Sequence, residues 1–392
     1  MQWCDMKYLK YLPLFSAAVV ILVFLALSSS KQSVKLSEMS FDELKIYFTN
    51  LAKQKGAKHA FEVLKKAEVS VDTDMHLLGH VVGDELYQQE GLNGIKLCTE
   101  DFRNACSHSI VVGFFTDQGE AALPQISQAC QQAPGGSGAY TMCFHGLGHG
   151  ILAFVNYDLE KAIQICQGTP GQPEISQCIS GTIMEIISGG GHDKTLWGKQ
   201  RQKYLFAENP FYVCSADFMP EMGKQLCFNY LTPYLWEAVG ADINKPTEAD
   251  FAKSFALCQT IPSIDQQYIN GCFGGFGKEF TTLAQNKDIR KIDQMSDEQF
   301  ATVDRWCELA KDIEGIKACL EQALSSIFWG GENDPAASIR FCKVINNPGN
   351  QKNCFLNLIG QVSFYIKDDK YKQAFCEDLP AEFNDECKKR LT

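Results

Sequence analysis

The chain has 392 residues, of which 45% are hydrophobic and 21% are charged, and this balance is typical of a folded protein. Its formal net charge of −11 argues against a nucleic-acid partner, which would require a basic surface. Seventeen cysteines are far more than a cytosolic protein of this size usually carries, so they indicate an oxidising compartment.

The N-terminal residues predict a membrane anchor. Residues 11–27 form an apolar run that follows Lys7 and Lys10 and precedes three serines. We interpret residues 1–30 as a cytoplasmic tip with an uncleaved signal anchor, and a signal peptide cleaved near Ser28 is the alternative. Residues 31–39 are predicted to be a linker. Both interpretations export the rest of the chain, so we expect a single-pass membrane protein with a periplasmic or extracellular domain.

Helix-start signals follow the linker. Ser40 and Glu43 have the spacing of a capping box, and apolar residues then recur at helical spacing. Gly56 is expected to break this helix before a second one begins near Ala57. Asp74 and its neighbours can cap a third helix, which would carry His76 and His80.

Beyond this point the cysteines recur regularly. Sixteen of them form sequential pairs whose members are eight to fourteen residues apart, and the second members recur every 33 to 49 residues. Such a period is typical of helical-repeat arrays. A disulfide within each pair is the simplest connectivity, although the sequence alone does not prove it. The predicted pairs are Cys98–Cys106, Cys130–Cys143, Cys166–Cys178, Cys214–Cys227, Cys258–Cys272, Cys307–Cys319, Cys342–Cys354 and Cys376–Cys387.

Each unit has the same internal pattern. An amphipathic helix, such as residues 159–166, ends at the first cysteine, a Gly/Pro-rich loop follows, and the second cysteine opens a more apolar helix. The predicted fold is therefore all-α: a disulfide-stapled helical-hairpin repeat solenoid behind one N-terminal transmembrane helix. We expect an N-terminal solenoid half at residues 40–200 and a C-terminal half at 201–392.

This period and hairpin pattern resemble those of TPR and Sel1-like solenoids, over roughly residues 57–392. Cysteine-rich exported Sel1-like proteins also carry a disulfide in each helix pair. The chain is similar, too, to uncharacterised exported cysteine-rich bacterial proteins that share two motifs. These are Cys-x-His-Gly-x-Gly-His, here residues 143–149, and Gly-x-x-Met-Glu, here residues 181–185. The second resemblance implies export and no known activity.

Histidines recur at one register of the second helices. Counted from the opening cysteine, His145 and His149 lie at +2 and +6, and His108 lies at +2; His76 and His80 have the same spacing from Asp74. Equal register in a solenoid means the same face, so these side chains should line one surface. Imidazoles four residues apart can bind one transition metal, and a carboxylate can complete the ligands. The predicted ligands of one or two Fe, Zn or Cu ions are His76, His80, His108, His145, His149 and Glu185.

Other interpretations of these histidines remain open. They can be buried structural residues, or two of them can ligate a haem. His192, in a glycine-rich loop, is a candidate ligand or proton shuttle, whereas His59 is expected on the surface. The sequence contains neither His-Glu-x-x-His nor Cys-x-x-Cys-His, which disfavours a zincin and excludes a c-type haem.

Two functions are therefore predicted. The first is a metal-dependent oxidoreductase or hydrolase, which resembles helical-repeat di-iron hydroxylases in architecture alone. The second is a non-catalytic scaffold in the cell envelope that binds a protein or peptidoglycan component along the solenoid face. The longer inserts, residues 189–212 and 281–304, are the expected recognition loops.

Overall fold

The structure is a computed structural model. It describes residues 35–70, 73–99, 101–134, 136–189, 194–243, 245–262, 266–285, 294–330, 335–366 and 368–391. The predicted anchor at residues 11–27 and the candidate ligand His192 lie outside these ranges. Within them, no helix combines the length and the apolar character that crossing a bilayer requires.

The described residues form helices and no β-strand, as the predicted all-α class requires. Short 3₁₀ helices cover Leu36–Glu38, Gly91–Leu97 and Gly119–Ala122. In chain order the α-helices are α1 Phe41–Lys55, α2 Ala57–Lys66, α3 Met75–Glu90, α4 Asp101–Gln118, α5 Leu123–Cys130, α6 Gly136–Phe154, α7 Leu159–Cys166, α8 Gln172–Ser188, α9 Lys194–Arg201, α10 Tyr212–Ser215, α11 Glu221–Tyr230, α12 Thr232–Ala238, α13 Glu248–Cys258, α14 Gln266–Ala284, α15 Asp297–Glu308, α16 Ile313–Gly330, α17 Pro335–Val344, α18 Pro348–Tyr365, α19 Asp369–Asp378 and α20 Ala381–Leu391.

The predicted helix starts of the N-terminal region are confirmed. The Ser40 hydroxyl accepts from the Glu43 amide, and the Glu43 carboxylate accepts from the Ser40 amide, so the capping box is complete. Gly56 separates α1 from α2 with a φ of +87°, a conformation that glycine adopts at little cost. The Asp74 carboxylate caps α3 by accepting from the Leu77 amide.

Eight disulfides join the cysteines in the predicted order, with Cα–Cα distances between 5.4 and 5.7 Å. The prediction that the second cysteine opens the second helix is wrong. Cys143 and Cys178 lie one to two turns inside α6 and α8. In these units part of the Gly/Pro loop forms the first turn or turns of the second helix. A proline such as Pro173 is compatible with the first helical turn. Cys98 also differs, since it follows a 3₁₀ helix.

The second helices of the pairs pack side by side. Helix α4 lies between α3 and α6, α6 packs on α8, α8 on α11, α11 on α14 and α14 on α16. The row curves far enough that α4 also contacts α16 and α6 contacts α18. The Arg103 guanidinium thus lies 3.5 Å from the Ser326 hydroxyl, although these residues are 223 positions apart. The N-terminal second helices are therefore flanked by C-terminal ones.

Glycines allow these helices to cross closely. A Cβ on Gly148 of α6 would lie 2.0 Å from the Cys178 carbonyl oxygen of α8, and one on Gly181 of α8 would lie 1.9 Å from the His145 carbonyl oxygen. The backbones of α6 and α8 therefore meet with no side chain between them. This crossing determines where His145 and His149 lie along the axis of α8.

Candidate metal centre

Two histidines of α3 face each other through their Nε2 atoms. His76 and His80 are one helical turn apart, and their Nε2 atoms are 3.1 Å from each other. The His76 Nδ1 lies 2.6 Å from the Phe102 carbonyl oxygen, which only accepts, so Nδ1 carries the proton. The His80 Nδ1 lies 3.0 Å from the Ser109 hydroxyl, which donates its own proton to the His80 carbonyl. In the neutral rings, both facing Nε2 atoms therefore present lone pairs.

Helix α6 repeats this arrangement. The Nε2 atoms of His145 and His149 are 3.2 Å apart. The His145 Nδ1 donates to the Ser180 hydroxyl at 2.8 Å, and that hydroxyl donates to the Gln177 carbonyl. The His149 Nδ1 donates to the Glu185 carboxylate at 3.0 Å. In the neutral rings the Nε2 lone pairs of His145 and His149 therefore face each other, at nearly the same distance as those of His76 and His80.

Facing lone pairs repel unless a cation lies between them. Two nitrogens bound at about 2.0 to 2.1 Å to one ion are roughly 2.8 to 3.4 Å apart for interligand angles between square and tetrahedral. The observed 3.1 and 3.2 Å lie inside this range. Each pair can therefore hold a metal ion as two ligands of its coordination shell.

His108 lies between the two pairs. Its ring centroid is 5.8 Å from that of His76, 5.7 Å from that of His80, 5.8 Å from that of His145 and 6.2 Å from that of His149. Its exposed fraction is 1%, and neither ring nitrogen has a hydrogen-bond partner among the residues that the structure describes. Among the described residues, ligand atoms of His76, His80 and His108 lie within 4.8 Å of one another. These three histidines form a group that could hold a metal ion.

An unusual backbone turn supplies one of these contacts. Phe102, Arg103 and Asn104 all have φ between +54° and +63°, the left-handed region that costs a non-glycine residue roughly 1 to 2 kcal/mol. The turn directs the Phe102 carbonyl to His76 and the Arg103 side chain to α16. Strained backbone of this kind is concentrated at functional sites.

Burial favours the neutral form of His76, His108 and His145. Desolvation lowers the pKa of His76, against the opposing hydrogen bond to the Phe102 carbonyl. Desolvation also holds the pKa of His108 and of His145 well below 6.5, and repulsion from neighbouring histidines, with Lys278 for His145, acts in the same direction. Neutral imidazole is the form that binds metals, so burial favours the ligand state.

This burial makes the stability of the metal-free protein pH-dependent. The unfolded chain takes up a proton on His108 below about pH 6.5, whereas the folded protein does not, so the free energy of unfolding should fall as the pH decreases from 6.5. The slope is at most about 1.4 kcal/mol per pH unit for each such group. Thermal unfolding between pH 7.5 and 5.5 measures it. The His108→Phe variant should show a smaller slope than the wild type, and an equal slope would contradict the assignment.

The C-terminal half contributes charged and aromatic side chains. The Tyr230 ring stacks on His145 at 5.4 Å, and the Lys278 ammonium lies 4.5 Å from the Tyr230 ring centroid. Lys278 is paired with Glu279 at 2.5 Å. Burial raises the pKa of Tyr230 to about 12, against the opposing charge of Arg103. The histidines are therefore bordered by a neutral phenol, by Arg103 and by the Lys278–Glu279 ion pair.

The structure brings the five predicted histidines into one cluster and places the other candidates differently. Glu185 lies behind His149, on the Nδ1 side, where it orients the ring instead of facing the gap between the Nε2 atoms. His59 is exposed on α2, as predicted. The sequence reasoning missed Ser109, Ser180 and the Phe102 carbonyl. The sequence contains a sign of Ser180 alone, because Ser180 lies two residues after the second cysteine of its pair, as His108 and His145 do in theirs.

Comparison with known protein families, with curated proteins and with solved protein structures found no match to this chain.

Proposed function

We propose that this is an exported, membrane-tethered helical-repeat protein that binds a transition-metal ion at its histidine cluster. The eight disulfides favour an oxidising, extracytoplasmic setting. The regular alternation of disulfide-linked helices supports a repeat solenoid, and the apolar run at residues 11–27 supports an anchor.

One observation carries the metal proposal. The Nδ1 protons of His76 and His80 are held by acceptors, so their Nε2 lone pairs face each other at 3.1 Å. In a protein without metal this contact is repulsive, whereas an ion between the nitrogens makes it attractive. Neither ring nitrogen of the third imidazole, His108, has a hydrogen-bond partner in the described part of the chain.

The donors fit a small nitrogen-binding ion better than a haem. Imidazole is a common ligand of Zn, Cu and Fe, and the described cluster offers no thiolate, because its neighbouring cysteines are in disulfides. Axial histidines of a haem bind from opposite sides of the macrocycle. Here the paired histidines come from one helix and their nitrogens are too close for a porphyrin plane between them.

Such a centre suits metal-dependent catalysis. An ion held by three imidazoles retains an open position, at which it can activate water or bind a small molecule. Burial favours the neutral form of His76, His108 and His145, and carbonyl, hydroxyl and carboxylate acceptors orient the ligands. Arg103 and Lys278 add positive charge beside the cluster, and the carboxylate of Glu279 offsets part of it. We therefore propose an oxidoreductase or hydrolase, with the reaction still to be identified.

The test is the metal content of protein purified without chelator. We expect at least one equivalent of transition metal in the wild type and a loss of most of it in a His76→Ala/His80→Ala variant. His59→Ala is the matched control, because His59 is exposed and distant from the cluster in the sequence. Elemental analysis gives the stoichiometry, and circular dichroism confirms that each variant is folded.

The opposite result has a specific meaning. If wild-type protein from its native host contains no stoichiometric metal, the histidines are structural and the envelope-scaffold function becomes the better explanation. That alternative would predict binding to an envelope protein or to peptidoglycan, whatever the metal content.

A further inference from the structure

His108 differs from the other four histidines of the cluster. In His76, His80, His145 and His149, Nδ1 is hydrogen-bonded to a fixed oxygen and Nε2 faces a second Nε2. In His108 both nitrogens are buried and neither has a hydrogen-bond partner within the described part of the chain. A buried imidazole that ligated one ion through one nitrogen would still need an acceptor for the other.

The packing around His108 keeps the ring between the two pairs. A Cβ added to Gly146 of α6 would lie 2.7 Å from the His108 Cα and 2.5 Å from its ring. Glycine at this position therefore lets α6 press directly against His108. As a result, its ring is almost equidistant from the imidazoles of α3 and of α6.

We propose that His108 bridges two transition-metal ions as an imidazolate, with one ion held by His76 and His80 and the other by His145 and His149. This inference rests on the proposed metal-binding function and extends it to a coupled binuclear centre. Each ion receives three nitrogens, two from its own helix and one from His108.

The bridge gives both ring nitrogens of His108 a bonding partner. On binding the second ion the His108 ring releases its N–H proton to solvent, and the two ring nitrogens each form one metal–nitrogen bond. No electron is transferred in this step. Two imidazoles on one ion have centroids roughly 4.5 to 5.2 Å apart, from metal–nitrogen bonds of about 2.0 to 2.1 Å. The distances of 4.6 and 4.9 Å within the pairs already match, whereas both pairs must move closer to His108, which now lies 5.7 to 6.2 Å from their rings.

Glu185 lies behind the His145–His149 pair, where the second ion would bind. Its carboxylate accepts from the His149 Nδ1, so it orients that imidazole and would add negative charge beside the second ion. Behind His76 and His80 lie the Phe102 carbonyl and the Ser109 hydroxyl, and Asp74 places a negative charge near His76. The two histidine pairs therefore differ in the acceptors that orient their rings.

The experiment uses the metal-free full chain titrated with Cu(II), followed by bound-copper analysis and electron paramagnetic resonance. An imidazolate bridge couples two Cu(II) ions antiferromagnetically. We expect two bound copper ions per chain, a low-temperature signal well below the intensity of two isolated spins, and a half-field transition that grows on warming as the triplet state is populated. His145→Ala/His149→Ala should bind one ion and show one full spin.

Variants of His108 separate the bridge from other causes of coupling. His108→Phe keeps a ring of similar size and should abolish the coupling, and so should His108→Ala, in which added imidazole should restore it. Two fully uncoupled spins in the wild type, a single ion per chain, or coupling that persists in both variants would each overturn the bridge. If either variant fails to fold, the wild-type spin intensity still decides. Absence of any bound copper would instead contradict the proposed function itself.

Discussion

Gly148→Ala should strongly destabilise the protein and separate the histidine cluster from α8. The new methyl group would lie 2.0 Å from the Cys178 carbonyl oxygen, so the two helix backbones must move apart by more than 1 Å. We expect a loss of about 3 kcal/mol or more of unfolding free energy, because a backbone atom cannot turn aside as a side chain does. The separation would also break the contacts of His145 with Ser180 and of His149 with Glu185. Thermal unfolding with intact disulfides measures the effect.

Gly360→Ala is the matched control for this substitution. Gly360 lies inside α18, and a Cβ there would meet no atom within 4 Å. Alanine should therefore stabilise the helix by up to about 1 kcal/mol through its propensity alone. A Gly148→Ala variant as stable as the wild type would show that α6 and α8 are not in backbone contact.

Reduction of all eight disulfides should unfold the chain. Each bridge closes a loop of 8 to 14 residues, which corresponds to about 2.5 to 3 kcal/mol of chain entropy removed from the unfolded state. The combined stabilisation from the eight bridges is then larger than the free energy of unfolding of a typical folded domain, which is roughly 5 to 15 kcal/mol. Far-UV circular dichroism before and after complete reduction and alkylation measures the loss of helix.

Removal of one terminal bridge provides the comparison. A Cys376→Ala/Cys387→Ala variant loses only the link between α19 and α20, so it should remain folded and lose about 2 to 4 kcal/mol. A fully reduced chain that keeps its helix content and unfolds cooperatively near the native temperature would contradict the structural role of the bridges.

The sequence predicted the local part of the centre well. His76 and His80 lie on one helix because Asp74 caps it and a spacing of four residues places both side chains on one face. The equal register of His108 and His145 predicted their proximity, because paired cysteines set the start of each count. These inferences needed only helical geometry and the disulfide order.

What the sequence could not predict depends on tertiary packing. The left-handed turn at Phe102–Asn104 contains no glycine, so the sequence gives no sign of it, and its conformation depends on the surrounding contacts. Arg103, Tyr230 and Lys278 come near the histidines through contacts between helices far apart in the chain, such as α4 and α16. The position of Glu185 behind His149 follows from the exact crossing of α6 and α8, which spacing alone does not specify.

Anomalous X-ray diffraction from crystals of the protein purified without chelator tests the central claim most directly. Data collected on both sides of the Fe, Cu and Zn absorption edges identify the element and its position together. We expect an anomalous peak about 2.1 Å from the Nε2 atoms of His76 and His80 and close to His108. Well-ordered histidines with no anomalous density between the two Nε2 atoms, in crystals from native-host protein, would contradict the proposed metal centre.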